Sequence, residues 1–412
     1  MMTTSFSFND DLRIKAPKII ESIVLFPICV LPIGFGFLYF LPKMLIALAV
    51  ITMFFLFFSS LGKKIFGKIG LILFICFILI FQGYFLNFIY DGNDAPGAVI
   101  DGQFFIYAFL LLFFSSVYKV STSFVTTFFL MLDWSFLVFI LDLSLVFFSE
   151  GTIFSSANGS PRLSPSLGPS AGGIYLMLIF LVSLVRWFFF KKNTRLFFLA
   201  FISFLIYLTS TRIILVGCLV CVFYLLWTKK TFGLNFKTLI FIFVGLFFLS
   251  SLYSRLFFSI DSGASGEINT NGRSVMWADL FDVFLTSPIF GSGFGRSVAI
   301  LSSSGFKSDF GIQPHNDYLR IVISLGIFGF IYFFILFLIL WKKLKPGVVF
   351  LGLVDMAIMA RLLIIGFLTV MLTDNIFIYH FYIYPMLIII MLGINRRPNN
   401  RYVVRMRPRF EK

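Results

Sequence analysis

Apolar runs of span length alternate with short basic blocks along this chain, and no other feature restricts its fold as strongly. A helix rises about 1.5 Å per residue, so about 20 apolar residues cross the roughly 30 Å of bilayer hydrocarbon. Runs of that order lie near 20–40, 44–61, 69–90, 103–118, 122–149, 173–190, 196–210, 213–228, 237–254, 318–340, 348–372 and 376–394. The 412 residues are 59% hydrophobic and 12% charged, with a mean hydropathy of +1.01, more apolar surface than one soluble core can hide. The pattern predicts an all-α, polytopic integral membrane protein of about twelve transmembrane helices, with residues 1–412 as a single membrane domain. The phenylalanines and methionines then read as lipid-facing or helix-packing surface.

A formal net charge of +15 would suggest nucleic acid in a soluble protein. Here the charges sit between spans and carry topology, so membrane lipids, not nucleic acid, are the expected surroundings. If both termini are cytoplasmic, the inside segments collect Lys63, Lys64 and Lys68, then Lys119, Lys191, Lys192 and Arg195, then Lys229 and Lys230, then Lys342, Lys343 and Lys345, and the basic tail from Arg396. Losing one span would move every later block to the wrong side. Leu196–Trp227 is therefore read as a hairpin whose polar tip, Thr209 to Arg212, reaches the outer interface. Two outer loops are long and polar, residues 150–172 and residues 255–317. The larger one holds an amphipathic stretch, Ser274–Leu285, expected to form a helix along the membrane surface above a cavity.

Polar residues on the outer face are few, which makes each informative. His315 stands in Gln313-Pro314-His315-Asn316-Asp317, just ahead of a span. His315 or Asn316 is a natural N-cap there, and an imidazole in that place can take a proton from a hydroxyl. Capping alone is the competing reading. Arg162, Arg212, Arg273 and Arg320 are outer-face arginines whose planar forks match phosphate oxygens. Arg255, Arg296 and Lys307 read as headgroup or carboxylate partners. Gly326 and Gly329 would let a neighbouring helix approach closely. Asp91, Asp94 and Asp101 read as an acidic loop or a cation site, and Gly291–Gly295 as a turn. Cys29, Cys76, Cys218 and Cys221 lie in apolar runs and read as packing residues. Asp133, Asp142, Asp355 and Arg361 fall within spans, where ionisable groups are costly, and they support a rival reading as a transporter or flippase.

Taken in order, these residues resemble the O-antigen ligase and O-antigen polymerase superfamily, integral membrane glycosyltransferases. The resemblance rests on Ser210-Thr211-Arg212, then Gly272-Arg273 with Trp277, then Ser287-Pro288 with Gly291 and Gly293, then His315-Asn316 with Gly326 and Gly329. It covers roughly residues 160–330. Arg162-Leu163 resembles a further arginine motif of the family, although Pro165 stands where a glycine is usual. Asp374 resembles an outer-face aspartate between the last two spans.

The resemblance implies a bacterial inner-membrane enzyme whose active face is periplasmic and whose donor is an undecaprenyl-diphosphate-linked oligosaccharide. Arg212, Arg273 and Arg162 would hold the diphosphate, and His315 would be the base on the acceptor glycan. Asn316, Asp374 and Arg320 would support it, with no metal and no cofactor. The Phe-rich, idiosyncratic sequence favours a polymerase of O-antigen or capsule-type repeat units, working beside a chain-length regulator and a flippase. A ligase that transfers glycan to lipid A core is the alternative.

Overall fold

The computed structural model describes residues 70–89, 95–117, 122–157, 160–190, 193–228, 273–303, 314–346 and 355–394. The runs expected near 20–40, 44–61 and 237–254 lie outside the described residues, as do Cys29, Arg255, Lys307, Asp91 and Asp94. Within the described residues the chain is an α-helical membrane-type bundle with one short hairpin.

In chain order the helices are α1 (Gly70–Ile89), α2 (Ala95–Val117) and α3 (Thr122–Glu150), followed by strands β1 (Phe154–Ala157) and β2 (Ser160–Leu163). Next come α4 (Pro169–Phe190), α5 (Asn193–Thr209), α6 (Arg212–Thr228), α7 (Arg273–Thr286) and α8 (Arg296–Ser303). The last three are α9 (Asp317–Lys343), α10 (Met356–Val370) and α11 (His380–Ile394), with a 3-10 turn at Ile376–Ile378 before α11. Among the described residues, Ile72–Ile89, Phe124–Glu150, Pro169–Phe188 and Asp317–Lys343 are long and apolar enough to cross a membrane. The apolar helices α5, α6, α10 and α11 are shorter.

The core forms because α4 and α11 are apolar on every side and are wrapped by their neighbours, as a helix without a polar face must be. α5, α6 and α10 pack on α4, while α2 and α10 pack on α11. α1 instead turns Phe77, Phe81 and Phe85 outward as a stacked row. The segment Leu196–Trp227 is the expected hairpin, α5 and α6 joined at Ser210-Thr211, and Cys76, Cys218 and Cys221 are buried free thiols. The amphipathic helix is present as α7. Met276 and Leu280 pack with Leu301 and Ile323 of α8 and α9, whereas Phe281 points away.

Two expectations need correction. Helix α2 starts at Ala95 rather than near residue 103, so Asp101 is a helical, buried residue and not part of an acidic loop. Gly326 admits a turn, not a helix: its φ of 65° breaks α9, and residues 288–293 insert into the break. There the Ile327 and Phe328 N–H groups donate to the Pro288 and Ile289 carbonyls at 2.8 and 3.1 Å. In return the Ser292 and Gly293 N–H groups donate to the Ile323 and Ser324 carbonyls at 2.8 and 2.9 Å. Loop and helix thus supply each other's missing backbone partners. Gly291 and Gly293, both at positive φ, make this turn possible.

Candidate functional site

Four contacts fix the entrance to α9, and three of them follow from unpaired helix ends. Asn316 is extended, and its Oδ1 accepts the Leu319 N–H at 3.0 Å, an N-cap. The last turn of α10 leaves carbonyls without helical partners. Met371 O accepts the Asp317 N–H at 3.0 Å, and Leu368 O accepts the Tyr318 hydroxyl at 2.7 Å. From α7, the Trp277 indole N–H donates to Pro314 O at 2.7 Å. His315 is left between these anchors in the left-handed region, φ 48°. Among the described non-glycine residues only Ser210, φ 55° at the α5–α6 tip, shares that conformation. Such a backbone costs about 1–3 kcal/mol and persists only where the surroundings impose it.

Below His315 lies a buried ionic cluster. Arg320 Nε is 3.3 Å from Asp101 Oδ1, and its Nη1 is 3.2 Å from Asp317 Oδ1. Its Nη2 donates to Asn375 Oδ1 at 3.3 Å. Asp101 Oδ2 accepts the Gly295 N–H at 2.8 Å and the Ser324 hydroxyl at 3.1 Å, and Asp317 Oδ2 accepts the Phe377 N–H at 3.0 Å. Two carboxylates around one guanidinium, each also accepting a backbone N–H, is how such charges tolerate burial. The cluster ties α2, the 287–295 turn, α9 and the α10–α11 link into one body. Its apolar floor is Phe104 stacked on Phe377, centroids 4.9 Å apart and planes 2° from parallel.

The cluster reaches His315 through Asn375, whose Nδ2 is 3.3 Å from His315 Nδ1. Asp374 Oδ1 is 3.9 Å from the same nitrogen and accepts the Asn375 N–H at 2.8 Å. The imidazole is 38% exposed while Asp374 is 4% exposed, so a reachable ring sits on a buried support.

Of the residues expected from sequence, Asn316, Asp374 and Arg320 surround His315. Arg320 is turned inward to carboxylates and is not a surface arginine. Arg212 opens α6 and is half-buried. Helices α6 and α10 run antiparallel, with Gly217 against Gly366 and Thr369, and Cys221 Sγ on Leu362 O at 3.2 Å. Counting outward from Gly217 and from Thr369 brings Arg212 and Asp374 to the same end of the bundle. Arg162 lies on β2, opposite Ser155, and that hairpin packs on α4 and α5 at the same end. Arg273 is the first residue of α7, which packs on α9.

Asn375 and Asp317 had not been singled out, and Asp101 had been read as part of an acidic loop or a cation site. Asp317 and Arg320 are three apart on one helix, a readable pairing signal, whereas only the fold brings Asp101 across from α2. The groups that supported a transporter have structural roles. Asp133 pairs with Arg186 at 2.6 Å, Asp142 accepts the Ser166 N–H, Asp355 caps α10, and Arg361 lies 4.7 Å over Trp341.

Residues 197–334, from within α5 into α9, match the family model described as O-antigen ligase. For that segment the match supports the resemblance to the O-antigen ligase and polymerase superfamily. The ligase match contains Arg212, Arg273 and His315, while Arg162, Asp374 and Asn375 lie outside its limits. No curated protein matches the chain. The helices support a membrane protein, and the family match supports ligase- or polymerase-type function.

Proposed function

We propose that this protein is a polymerase of O-antigen or capsule-type repeat units, acting at the periplasmic face of the bacterial inner membrane through about twelve spans with both termini cytoplasmic. The observation that carries the reading is His315: a reachable imidazole, held on a strained turn by Asn375 and Asp374, at the end of the bundle that also presents Arg212.

In this reading Arg212 and Arg273, with Arg162 nearby, hold the diphosphate of an undecaprenyl-linked oligosaccharide. Positive charge aimed at the leaving group counts most as that bond breaks. The acceptor hydroxyl gives its proton to His315 as its oxygen bonds to the anomeric carbon. The bond from that carbon to the diphosphate oxygen breaks on the opposite face, inverting the centre. Guanidinium charge supplies what a cation would, so the reading assigns no metal and no cofactor. A flippase would deliver the donor and a chain-length regulator would act on the product.

The first prediction tests this directly. His315→Ala is expected to abolish polymer while the protein accumulates in the membrane at its usual level, as judged by glycan gels beside immunoblots. Normal chains in that strain would remove His315 from the reaction.

A ligase transferring glycan to lipid A core is the second reading, favoured by the family description of residues 197–334. Deletion separates the two. Loss of a polymerase leaves lipid A core bearing one repeat, whereas loss of a ligase strands long glycan on undecaprenyl diphosphate.

A further inference from the structure

We propose that Asn375 is a positioning residue that decides which nitrogen of His315 carries the proton. A guanidinium can only donate. Arg320 is fixed between Asp101 and Asp317, and its Nη2 meets the Asn375 side chain at 3.3 Å, so the amide must turn its oxygen toward Arg320. The reversed amide would set donor against donor between two side chains that are each 1% exposed, and such an unmet donor is costly. The Asn375 NH2 therefore faces His315 Nδ1 at 3.3 Å.

An N–H needs a lone pair to meet. Nδ1 is then unprotonated, and the neutral imidazole bears its single hydrogen on Nε2. Asp374 asks for the opposite: a carboxylate accepts and would stabilise Nδ1–H. Its Oδ1 is 3.9 Å away, and Asn375 has the closer contact. Neighbouring residues 374 and 375 thus compete for one ring nitrogen, and Asn375 holds it.

The catalytic consequence rests on the function proposed above. At rest Nε2 is a donor, suited to an oxygen of the donor diphosphate. It becomes a base only when the ring exchanges Asn375 for Asp374, Nδ1 taking a proton from water as Nε2 releases one to water. The net protonation of the ring is unchanged by that exchange.

The whole chain has two histidines, so nitrogen-15 NMR of histidine-labelled full-length protein in nanodiscs is simple to read. The signal lost in His315→Gln identifies the residue. At about pH 8.5, well above the usual histidine range, the wild-type protein is expected to show unprotonated Nδ1 and protonated Nε2. Asn375→Asp, which replaces the donor by an acceptor, is expected to move the proton to Nδ1. A wild-type Nδ1–H form, an even mixture or an imidazolium would overturn the proposal, and that measurement needs no variant to fold. The tautomer is read without turnover, so an inactive wild-type preparation or an active His315→Ala strain would count against the function and not against this assignment.

Discussion

At the scale of single residues, the site depends on a buried arginine. Arg320 pairs with Asp101 and Asp317 and orients Asn375, so removing its charge leaves their buried carboxyl groups without a cation. Arg320→Met is expected to destabilise the folded protein by about 3–5 kcal/mol, seen as a lowered melting temperature in detergent or lost accumulation in the membrane. Adding Asp101→Asn to that variant is expected to recover part of the loss, because the two residues are coupled. Additive losses would show that the pair does not interact. Asn316→Ala, which removes only the cap of α9, is expected to cost about 1 kcal/mol. The capping of α9 by Asn316 was legible in sequence, because a polar pair ahead of a span is a cap signal. Asn375 was hidden, since its role comes from Arg320 and His315, far from it in the chain.

At the scale of elements, the join between α9 and the 288–293 turn explains why glycine is required at residue 326. A Cβ there would collide with the Ile289 carbonyl, and the backbone is left-handed as well. Gly168 has a similar positive φ but open space around it. Gly168→Ala is therefore expected to cost only the backbone strain, about 1–2 kcal/mol, measured by thermal unfolding in detergent. Gly326→Ala is expected to cost distinctly more and to displace the turn. Equal effects would mean that the join yields. Helix positions were mostly legible, because apolar length and the Thr209–Arg212 break are local signals. The break in α9 was not, because Gly326 in an apolar run reads equally well as a helix-packing site. Asp101 was misplaced because a buried ion pair and a solvated acidic loop look alike when only one partner is in view.

At the scale of the whole molecule, basic blocks suggested one orientation, and labelling can check it. Cys76, Cys218 and Cys221 are buried, so a Cys29-free background should react little with a membrane-impermeant thiol reagent. Ser302→Cys, exposed on α8, is expected to label from outside the inner membrane, whereas Lys345→Cys, beyond the far end of α9, should label only after permeabilisation. The reverse result would invert the assigned active face. The loop joined into α9 also bears on how this chain can change over time. Its connection is written in main-chain atoms, which every residue type possesses, and only a few glycines are demanded by shape. Side chains around it are then free to drift, while loop and helix must be inherited together. A chimera that exchanges either half alone brings two edges that were never cut to fit.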